Sequence, residues 1–242
     1  MKLFDDDFIV GGFTAGASGI WTRTKPTDPP TQDYTALSGE LGIPLSSIVR
    51  PYQANGQLAA IVGTEHGGMG VLSDNVLKKT DGLVTSDSGL VLSIIAADCV
   101  PVYLADREAG VIGLLHCGRQ SAAGELIHNG IARMAELGAA PEMTELFLGP
   151  HICQACYEVG AEVMDDFAMS FTAKELERIF RREGERLYLD MAEAITVKAL
   201  REGISRGNIH FSRECTCHGS GYYSYRRGDR GLQNLAYMMK KR

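Results

Sequence analysis

Short apolar runs bounded by turn-forming residues dominate the first part of the chain. Val91–Ala96 and Val111–Leu115 are such runs, and their length and composition are typical of strands buried on both faces. The same pattern predicts the following strands: Phe8–Phe13, Ile48–Tyr52, Leu58–Val62, Asp81–Thr85 and Glu145–Leu148. Asp98, Cys99 and His116 come at or after the ends of apolar runs. We therefore expect these side chains where strands leave the core.

Apolar residues at helical spacing predict the helices. Gly118–Gly138 carries a broad apolar stripe that includes Leu126 and Met134, which predicts one amphipathic helix ending at Gly138. Because this helix would begin directly after His116, the positive end of its dipole would favour a thiolate or a bound anion there. Further helices are predicted at Asp33–Gly42, Ala161–Met169, Lys174–Arg182 and Met191–Glu202.

Turn-forming residues mark the connections between these elements. Asn55-Gly56 lies between two predicted strands, and an Asn-Gly pair is a strong signal for a β-hairpin. The run from Thr22 to Thr31 is rich in Pro and Thr and is predicted to be a surface loop. Gly63–Gly70 is glycine-rich but lacks the Lys and Ser/Thr of a Walker loop, so we interpret it as a flexible loop with an exposed His66.

Composition narrows the class of protein. The chain has 242 residues, 45% of them hydrophobic, which fits one globular domain covering residues 1–242. The formal net charge of −6 argues against general binding to nucleic acid or to anionic membranes, and no apolar run approaches the ~20 residues that cross a bilayer. The acidic N-terminal segment differs from the basic and apolar pattern of a secretory signal. Six cysteines without such a signal are typical of free thiols in a reducing compartment. We therefore expect a cytoplasmic protein.

Cys99 and His116 permit two kinds of chemistry if they meet at strand ends. A thiol beside an imidazole forms a nucleophile–base pair. The same two groups also supply two of the three protein ligands that a catalytic zinc ion needs. The residues alone leave both alternatives open.

Other cysteines and arginines are weaker candidates. A single Cys153-x-x-Cys156 pair is a weak metal or redox signal, so we interpret it as part of a buried loop. Cys215-Thr-Cys-His218 contains metal-ligand residue types, but neighbouring residues on an extended chain point to opposite faces and do not easily converge. Arg226 and Arg227 are adjacent, and one of them is suited to an anionic group.

A series of motifs in this chain resembles a known family. In chain order these motifs are Ala97-Asp-Cys-Val-Pro-Val, Leu115-His-Cys-Gly, Leu148-Gly-Pro-His-Ile-Cys-Gln-Ala-Cys-Tyr-Glu-Val-Gly, Leu189-Asp190, Cys215-Thr216 and Tyr223-Ser-Tyr-Arg-Arg227. Together they resemble the laccase-domain family. That family carries the name multicopper polyphenol oxidase, yet its better-supported activity is purine nucleoside phosphorolysis, with adenosine deamination beside it. The resemblance extends from about Gln53 to Gln233.

The resemblance implies a fold and a metal site. The fold is α+β, a single domain with mixed, largely antiparallel sheets flanked by helices, similar to a cysteine-hydrolase-like fold. The implied zinc-type site has two histidines and one cysteine, and Cys99 and His116 match two of these by position. Asn55 stands where the family has the other histidine, in Gln53-Ala-Asn-Gly56. Because an amide oxygen is a poorer zinc donor than imidazole, we expect weaker zinc binding unless Cys117 or His66 compensates.

The resemblance also implies substrates, namely a purine nucleoside and phosphate. The family's His-Ala-Gly-Trp-Arg-Gly is replaced here by His116-Cys-Gly-Arg-Gln-Ser121, so the arginine is shifted to Arg119. Arg119, Arg226 and Arg227 are candidates to bind phosphate, because the guanidinium fork satisfies two oxygens. Asn55 is a further candidate for substrate binding. Asp98 either fixes His116 as a hydrogen-bond acceptor or caps a turn.

Three readings therefore compete. The first is a nucleoside-acting enzyme in which zinc on Cys99 and His116 polarises an oxygen or activates water. The second is a metal-free Cys–His hydrolase or transferase in which Cys99 attacks, and the third is a family member whose site has degenerated. Copper oxidase chemistry ranks last because the six histidines lack closely spaced pairs. The sequence does not specify the oligomeric state.

Overall fold

Two large mixed β-sheets form the centre of the molecule. A computed structural model describes residues 2–15, 32–74 and 76–242. The strands in these ranges are β1 (Lys2–Asp5), β2 (Ile9–Ala15), β3 (Ile48–Val49), β4 (Leu58–Ile61), β5 (Thr80–Thr85), β6 (Val91–Ala96), β7 (Val100–Asp106), β8 (Val111–Cys117), β9 (Glu145–Leu148), β10 (Glu158–Val159), β11 (Phe180–Glu183), β12 (Arg186–Leu189), β13 (Ile209–Phe211) and β14 (Asn234–Lys240). The α-helices are α1 (Gln32–Leu41), α2 (Arg119–Ala123), α3 (Leu126–Glu136), α4 (Ala161–Ala168), α5 (Ala173–Ile179) and α6 (Met191–Arg201).

The sheets pair strands that are distant in sequence. One sheet has the order β1-β2-β14-β6-β3, and the other has the order β13-β9-β7-β8-β5-β4. A small third sheet has the order β10-β12-β11. The pairs β3–β6, β4–β5 and β9–β13 are parallel, and the other pairs are antiparallel. The expectation of an α+β fold with mixed, largely antiparallel sheets is therefore confirmed.

Side chains that alternate along β6 and β8 hold the layers together. Leu92 of β6 and Leu114 of β8 belong to the same buried cluster, which fills the space between the two large sheets. Val91, next to Leu92, faces the opposite way and packs in a cluster with α1, because neighbouring side chains on a strand point to opposite faces. Leu115 likewise faces the helices α3 and α6. His116 shares the face of Leu114 and so points toward the space between the sheets.

Helix α3 packs closely on β8 because Gly130 has no side chain. A Cβ at Gly130 would lie 2.7 Å from Cδ1 of Leu115, a distance that real Cβ atoms do not tolerate. Leu115 is completely buried at this contact, and filling such a site contributes about 1.5–3 kcal/mol for a leucine. This tight packing fixes helix α3 against Leu115 of β8, the residue that directly precedes His116.

Three local predictions are wrong. The helix predicted over Lys174–Arg182 ends at Ile179, and its last three residues belong to strand β11. Asn55 has the positive φ of a turn residue, 54°, but the strands on either side of it do not form a hairpin, because β3 and β4 lie in different sheets. The helix predicted over Gly118–Gly138 is broken into α2 and α3 at Gly124. A five-residue α2 supplies little dipole, so the helix-dipole argument for the site no longer holds.

The predicted surface loop from Thr22 to Thr31 lies outside the described residues. None of the helices in the described ranges is long and apolar enough to cross a bilayer.

Candidate functional site

An open cleft lies at the end of the two large sheets where β6 and β8 finish and where β7 and β14 begin. Its volume is about 460 Å³, within the range of about 300–1,000 Å³ that is common for small-molecule sites. It is lined by Gln53, Asn55, Ile95, Ala97, Asp98, Cys99, His116, Ile152, Tyr157, Met191, Tyr225, Arg226 and Gln233. The structure thus brings Cys99, His116 and Asn55 to one cavity.

His116 is held by a carboxylate that the sequence did not single out. Its Nδ1 lies 3.0 Å from Oδ1 of Asp81 on the neighbouring strand β5, and Asp81 is completely buried. Burial alone lowers the pKa of His116, but the Cys99 side chain and the hydrogen bond to Asp81 outweigh this effect and raise it to about 10. With Nδ1 bound to Asp81, Nε2 is the ring nitrogen left to face Cys99 and the cleft.

Asp81 also shapes the segment that carries Asn55. Its carboxylate accepts backbone N–H hydrogen bonds from Ala54, Asn55 and Gly56, at 3.1, 3.0 and 2.7 Å. Burial raises the pKa of Asp81, yet the hydrogen bonds from His116 and from this backbone keep it below its ordinary value. One buried carboxylate therefore orients the imidazole and fixes the turn beside it.

Asn55 and Cys99 meet next to Gly118. A Cβ at Gly118 would lie 3.0 Å from Oδ1 of Asn55 and 3.2 Å from Sγ of Cys99. A glycine therefore leaves room for both groups at the start of α2. Cys117 points to the opposite face and is completely buried in the core, while His66 does not line the cleft. Neither of these residues compensates for Asn55.

Of the two roles that the sequence left open for Asp98, the hydrogen bonds of its carboxylate support one that holds a turn. Its carboxylate accepts hydrogen bonds from the Thr216 hydroxyl at 2.6 Å, the Ser224 hydroxyl at 3.0 Å and the Arg226 backbone N–H at 2.7 Å. These bonds hold Asp98 in an uncommon backbone conformation with φ of 84°. Asp98 therefore ties the turn before Cys99 to the C-terminal loop. The hypothesis that it fixes His116 is wrong, because Asp81 does so.

The three candidate arginines lie in different settings. The guanidinium of Arg226 lines the cleft, stacks 4.9 Å from the centre of the Tyr157 ring and donates to the Cys156 carbonyl at 3.2 Å. Arg119 begins α2 outside the residues that line the cleft.

Arg227 is not among the residues that line the cleft, and its guanidinium is occupied by its own loop. Its guanidinium donates to the carbonyls of Thr216, Cys217, Gly219 and Tyr222 and pairs with Asp229. The expectation that Arg227 binds substrate is therefore wrong, because its donors already bind backbone oxygens.

The cleft does not provide the donor set of a zinc site. Its nitrogen and sulfur donors are His116 and Cys99, and the third position is the amide of Asn55. Within the described residues, no third His, Cys, Asp or Glu ligand atom joins these two donors. A catalytic zinc ion normally has three such protein ligands, so no chemical step is assigned to a metal here.

A metal-type donor set does exist beside the cleft. Ligand atoms of Cys153, Cys156, Cys215 and His218 all lie within 4.8 Å of one another. Cys153 precedes a short 3₁₀ turn before β10 and Cys156 is the last residue of that turn. Cys215 and His218 belong to the C-terminal loop. The expectation that Cys153-x-x-Cys156 is only a buried loop is therefore wrong. The expectation that Cys215, Cys217 and His218 do not all converge is confirmed, because Cys217 is not part of the cluster.

The spacing of the cysteines contains a signal that finds this cluster. Cys153-x-x-Cys156 and Cys215-x-x-His218 have the same two-residue spacing, which lets two ligands from one turn bind a single ion. An extended strand would instead point Cys215 and Cys217 to the same face and His218 to the opposite one. The segment instead forms a turn, in which Gly219 N–H donates to the Cys215 carbonyl at 3.0 Å.

Comparison with known proteins gives the family. Residues 30–240 match the family described as multi-copper polyphenol oxidoreductase laccase. The chain is 35% identical over 222 residues to a purine nucleoside phosphorylase from Deinococcus radiodurans, covering 90% of this chain and 81% of that one. The chain therefore belongs to the multi-copper polyphenol oxidoreductase laccase family, as its motifs indicated, and the expectation of an enzyme is confirmed.

Two further relatives agree with this assignment. Adenosine deaminase RL5 from an unknown prokaryotic organism is 28% identical over 195 residues, covering 79% of this chain and 74% of that one. The crystal structure of YlmD from Geobacillus stearothermophilus is 28% identical, with a TM-score of 0.84, and covers 97% of this chain and 92% of that one. The sheets and helices described above are therefore those of a known fold.

Proposed function

We propose that this protein cleaves purine nucleosides by phosphorolysis in the cleft lined by Cys99, His116 and Arg226. The observation that carries the proposal is the buried His116, which has Asp81 on one ring nitrogen and the other side open to the cleft. The relative from Deinococcus radiodurans named purine nucleoside phosphorylase supports the substrate class.

The reaction sets the demands on the site. A phosphate oxygen forms a bond to C1′ of the ribose while the bond from C1′ to the purine nitrogen breaks. The electron pair of the broken bond goes to the purine, which accepts a proton and leaves as the free base. The other product is ribose 1-phosphate. The site must bind an anion, protonate or hydrogen-bond the leaving base, and hold the ribose between them.

The side chains of the cleft match these demands. His116, with its raised pKa and its carboxylate partner, would donate a proton to the leaving purine. Arg226 is the cationic side chain among those lining the cleft that is suited to phosphate. Tyr157 and Tyr225 provide aromatic faces for the base. Asn55 offers an amide that can bind a ribose hydroxyl or a base edge.

The test is product analysis with untagged protein. Inosine and adenosine are each incubated with and without inorganic phosphate, and the products are separated by chromatography. We expect free base and ribose 1-phosphate only when phosphate is present. Conversion of adenosine to inosine without phosphate would instead identify a deaminase, and no turnover of any purine nucleoside would reject the proposed function.

The same residues favour a second candidate, a metal-free cysteine enzyme. Cys99, His116 and Asp81 follow the order of nucleophile, base and orienting carboxylate found in covalent catalysis. In that case the Cys99 thiol passes its proton to His116, and the sulfur bonds to the carbonyl carbon of the substrate as the C=O π pair moves to oxygen. When that pair returns, the bond to the leaving group breaks and the leaving group takes the proton from His116. Rapid alkylation of Cys99, together with no reaction of nucleosides, would favour this second candidate.

A further inference from the structure

The cluster of Cys153, Cys156, Cys215 and His218 has the donors and the dimensions of a tetrahedral zinc site. Nδ1 of His218 lies 3.3 Å from Sγ of Cys156 and 3.7 Å from Sγ of Cys153. In a tetrahedral site with Zn–S near ~2.3 Å and Zn–N near ~2.0 Å, sulfur and nitrogen ligands are separated by ~3.5 Å. The observed distances lie on either side of that value.

The sulfur of Cys215 also sits in a setting typical of a metal-bound thiolate. It accepts a hydrogen bond from the backbone N–H of Cys153 at 3.3 Å. Backbone donors around a sulfur stabilise negative charge on it. These cysteines are free thiols in the structure, and no disulfide uses them.

We propose that Cys153, Cys156, Cys215 and His218 bind one structural zinc ion. Three thiolates and one imidazole form a closed tetrahedral set, which is a common composition for structural zinc. Divalent copper prefers square-planar nitrogen and oxygen ligands, so this donor set does not suit it. The four protein ligands leave no position for water or substrate, and the ion therefore takes no direct part in the reaction.

The zinc ion would join two segments that form one wall of the cleft. Cys156 directly precedes Tyr157, and the guanidinium of Arg226 donates to the Cys156 carbonyl. On the other side, Thr216, next to Cys215, donates its hydroxyl to Asp98 at 2.6 Å. The ion would thus fix the position of the loop that carries Tyr157 relative to the loop that carries Arg226. Its predicted role is to position these two loops, and the proposal does not depend on the identity of the substrate.

Metal analysis tests the proposal directly. Untagged full-length protein is purified under reducing conditions from zinc-supplemented cells, and metal content is measured by mass spectrometry. We expect about one zinc ion per chain, retained in Cys99→Ala. Cys156→Ser and His218→Ala should weaken zinc binding in a chelator competition by at least the ~10–100-fold seen for loss of an outer-sphere partner.

Two variants serve as matched controls. Cys217→Ser changes a cysteine between two proposed ligands that is not itself in the cluster, so it should keep the zinc ion. His218→Cys replaces the imidazole ligand with a thiolate at an exposed position. The site then still has four ligands and should also bind zinc. Cobalt-substituted wild type and Cys217→Ser should show thiolate-to-metal charge-transfer and tetrahedral ligand-field bands, and Cys156→Ser should lose them. Circular dichroism of each variant confirms that it is folded.

The outcomes are distinct. Zinc that persists in folded Cys156→Ser and His218→Ala, or that disappears in Cys99→Ala, would place the ion in the cleft and overturn the proposal. Copper in place of zinc, no bound metal, or a Cys153–Cys156 disulfide without metal would overturn it as well. None of these results depends on nucleoside turnover, so they stand apart from the test of the proposed function.

Discussion

Nδ1 of His116 lies 3.0 Å from Oδ1 of Asp81, although the two residues are 35 positions apart in the chain. Antiparallel pairing of β5 with β8 brings them together, with Gly82 opposite Leu115. The completely buried Asp81 also accepts hydrogen bonds from the backbone at residues 54–56. One carboxylate thus determines both the orientation of the imidazole and the position of Asn55.

Replacing Asp81 by asparagine should impair catalysis more than substrate binding. Asp81→Asn keeps the size of the side chain but removes the charge that stabilises a protonated His116, so we expect kcat to fall by about 10²–10⁴-fold. The check is steady-state kinetics across a pH series, in which the pH profile of kcat should also shift. Asp98→Asn is the comparison, because Asp98 bonds to the C-terminal loop and not to His116. An unchanged pH profile in Asp81→Asn would contradict the proposed role.

Arg226 and Arg227 should respond differently to the same substitution. Arg226→Ala removes the guanidinium that lines the cleft and should raise KM for phosphate by about tenfold or more, since a charged hydrogen bond contributes about 1.5–3 kcal/mol. Arg227→Ala removes donors to the carbonyls of Thr216, Cys217 and Gly219 and should lower thermal stability. Kinetics with varied phosphate and thermal melts of both variants measure the two effects. Equal effects of both variants on KM would contradict the assignment.

Asn55→His should create a third zinc donor in the cleft. The φ of 54° at this position is one that histidine adopts more readily than most residues, and Oδ1 of Asn55 already faces the space next to Cys99. We expect zinc affinity of the cleft to rise by at least about 10–100-fold. Chelator competition is measured in a Cys156→Ser background. This background removes zinc binding by the cluster that contains Cys156, so the assay reports the zinc affinity of the cleft alone. Asn55→Gln, which lengthens the amide without adding an imidazole, should show no gain, and an equal gain would refute the geometry.

Acid should weaken the ion pair between Asp6 and Arg107. The hydrogen bond from the Arg107 guanidinium, at 2.8 Å, is the main reason that the pKa of Asp6 falls from 3.8 to about 2. Because the folded-state pKa is depressed, the pair contributes its stability in full above about pH 4 and loses it as the pH falls toward 2. Both side chains are partly exposed, so the contribution is small and sensitive to salt.

Denaturant unfolding of Asp6→Asn at several pH values measures this contribution. The difference in unfolding free energy between wild type and Asp6→Asn should shrink as the pH falls from about 5 toward 2. Asp7→Asn, at the exposed neighbouring position, is the matched control. A difference that stays constant over this interval would contradict the linkage.

Much of the fold follows from local patterns in the sequence. The apolar run Val91–Ala96 forms β6 with the same bounds, and the helical spacing after Asp190 forms α6. These elements are encoded within a few residues of themselves, so periodicity finds them. The break at Gly124 is also local, but an apolar stripe that continues on both sides conceals it. The stripe shows which residues face the core and does not show whether the backbone between them is continuous.

The contacts of the site depend on strand pairing, which single-sequence patterns do not specify. Asp81 was visible only as the start of a predicted strand, because nothing near it in the sequence shows that β5 pairs with β8. Cys156 and His218 are 62 positions apart, and only the fold reveals that their loops meet. The resemblance to the family did identify Cys99, His116 and Arg226 as candidates, because each lies within a motif.

Phosphate-dependent nucleoside cleavage by matched variants tests the central claim most directly. The initial rate of ribose 1-phosphate formation from inosine is measured at saturating phosphate for wild type, His116→Ala and Cys217→Ser. Since general acid catalysis contributes about 10²–10⁴-fold, we expect His116→Ala to lose at least ~10²-fold in rate while Cys217→Ser keeps the wild-type rate. Wild-type turnover that survives in folded His116→Ala would contradict the account.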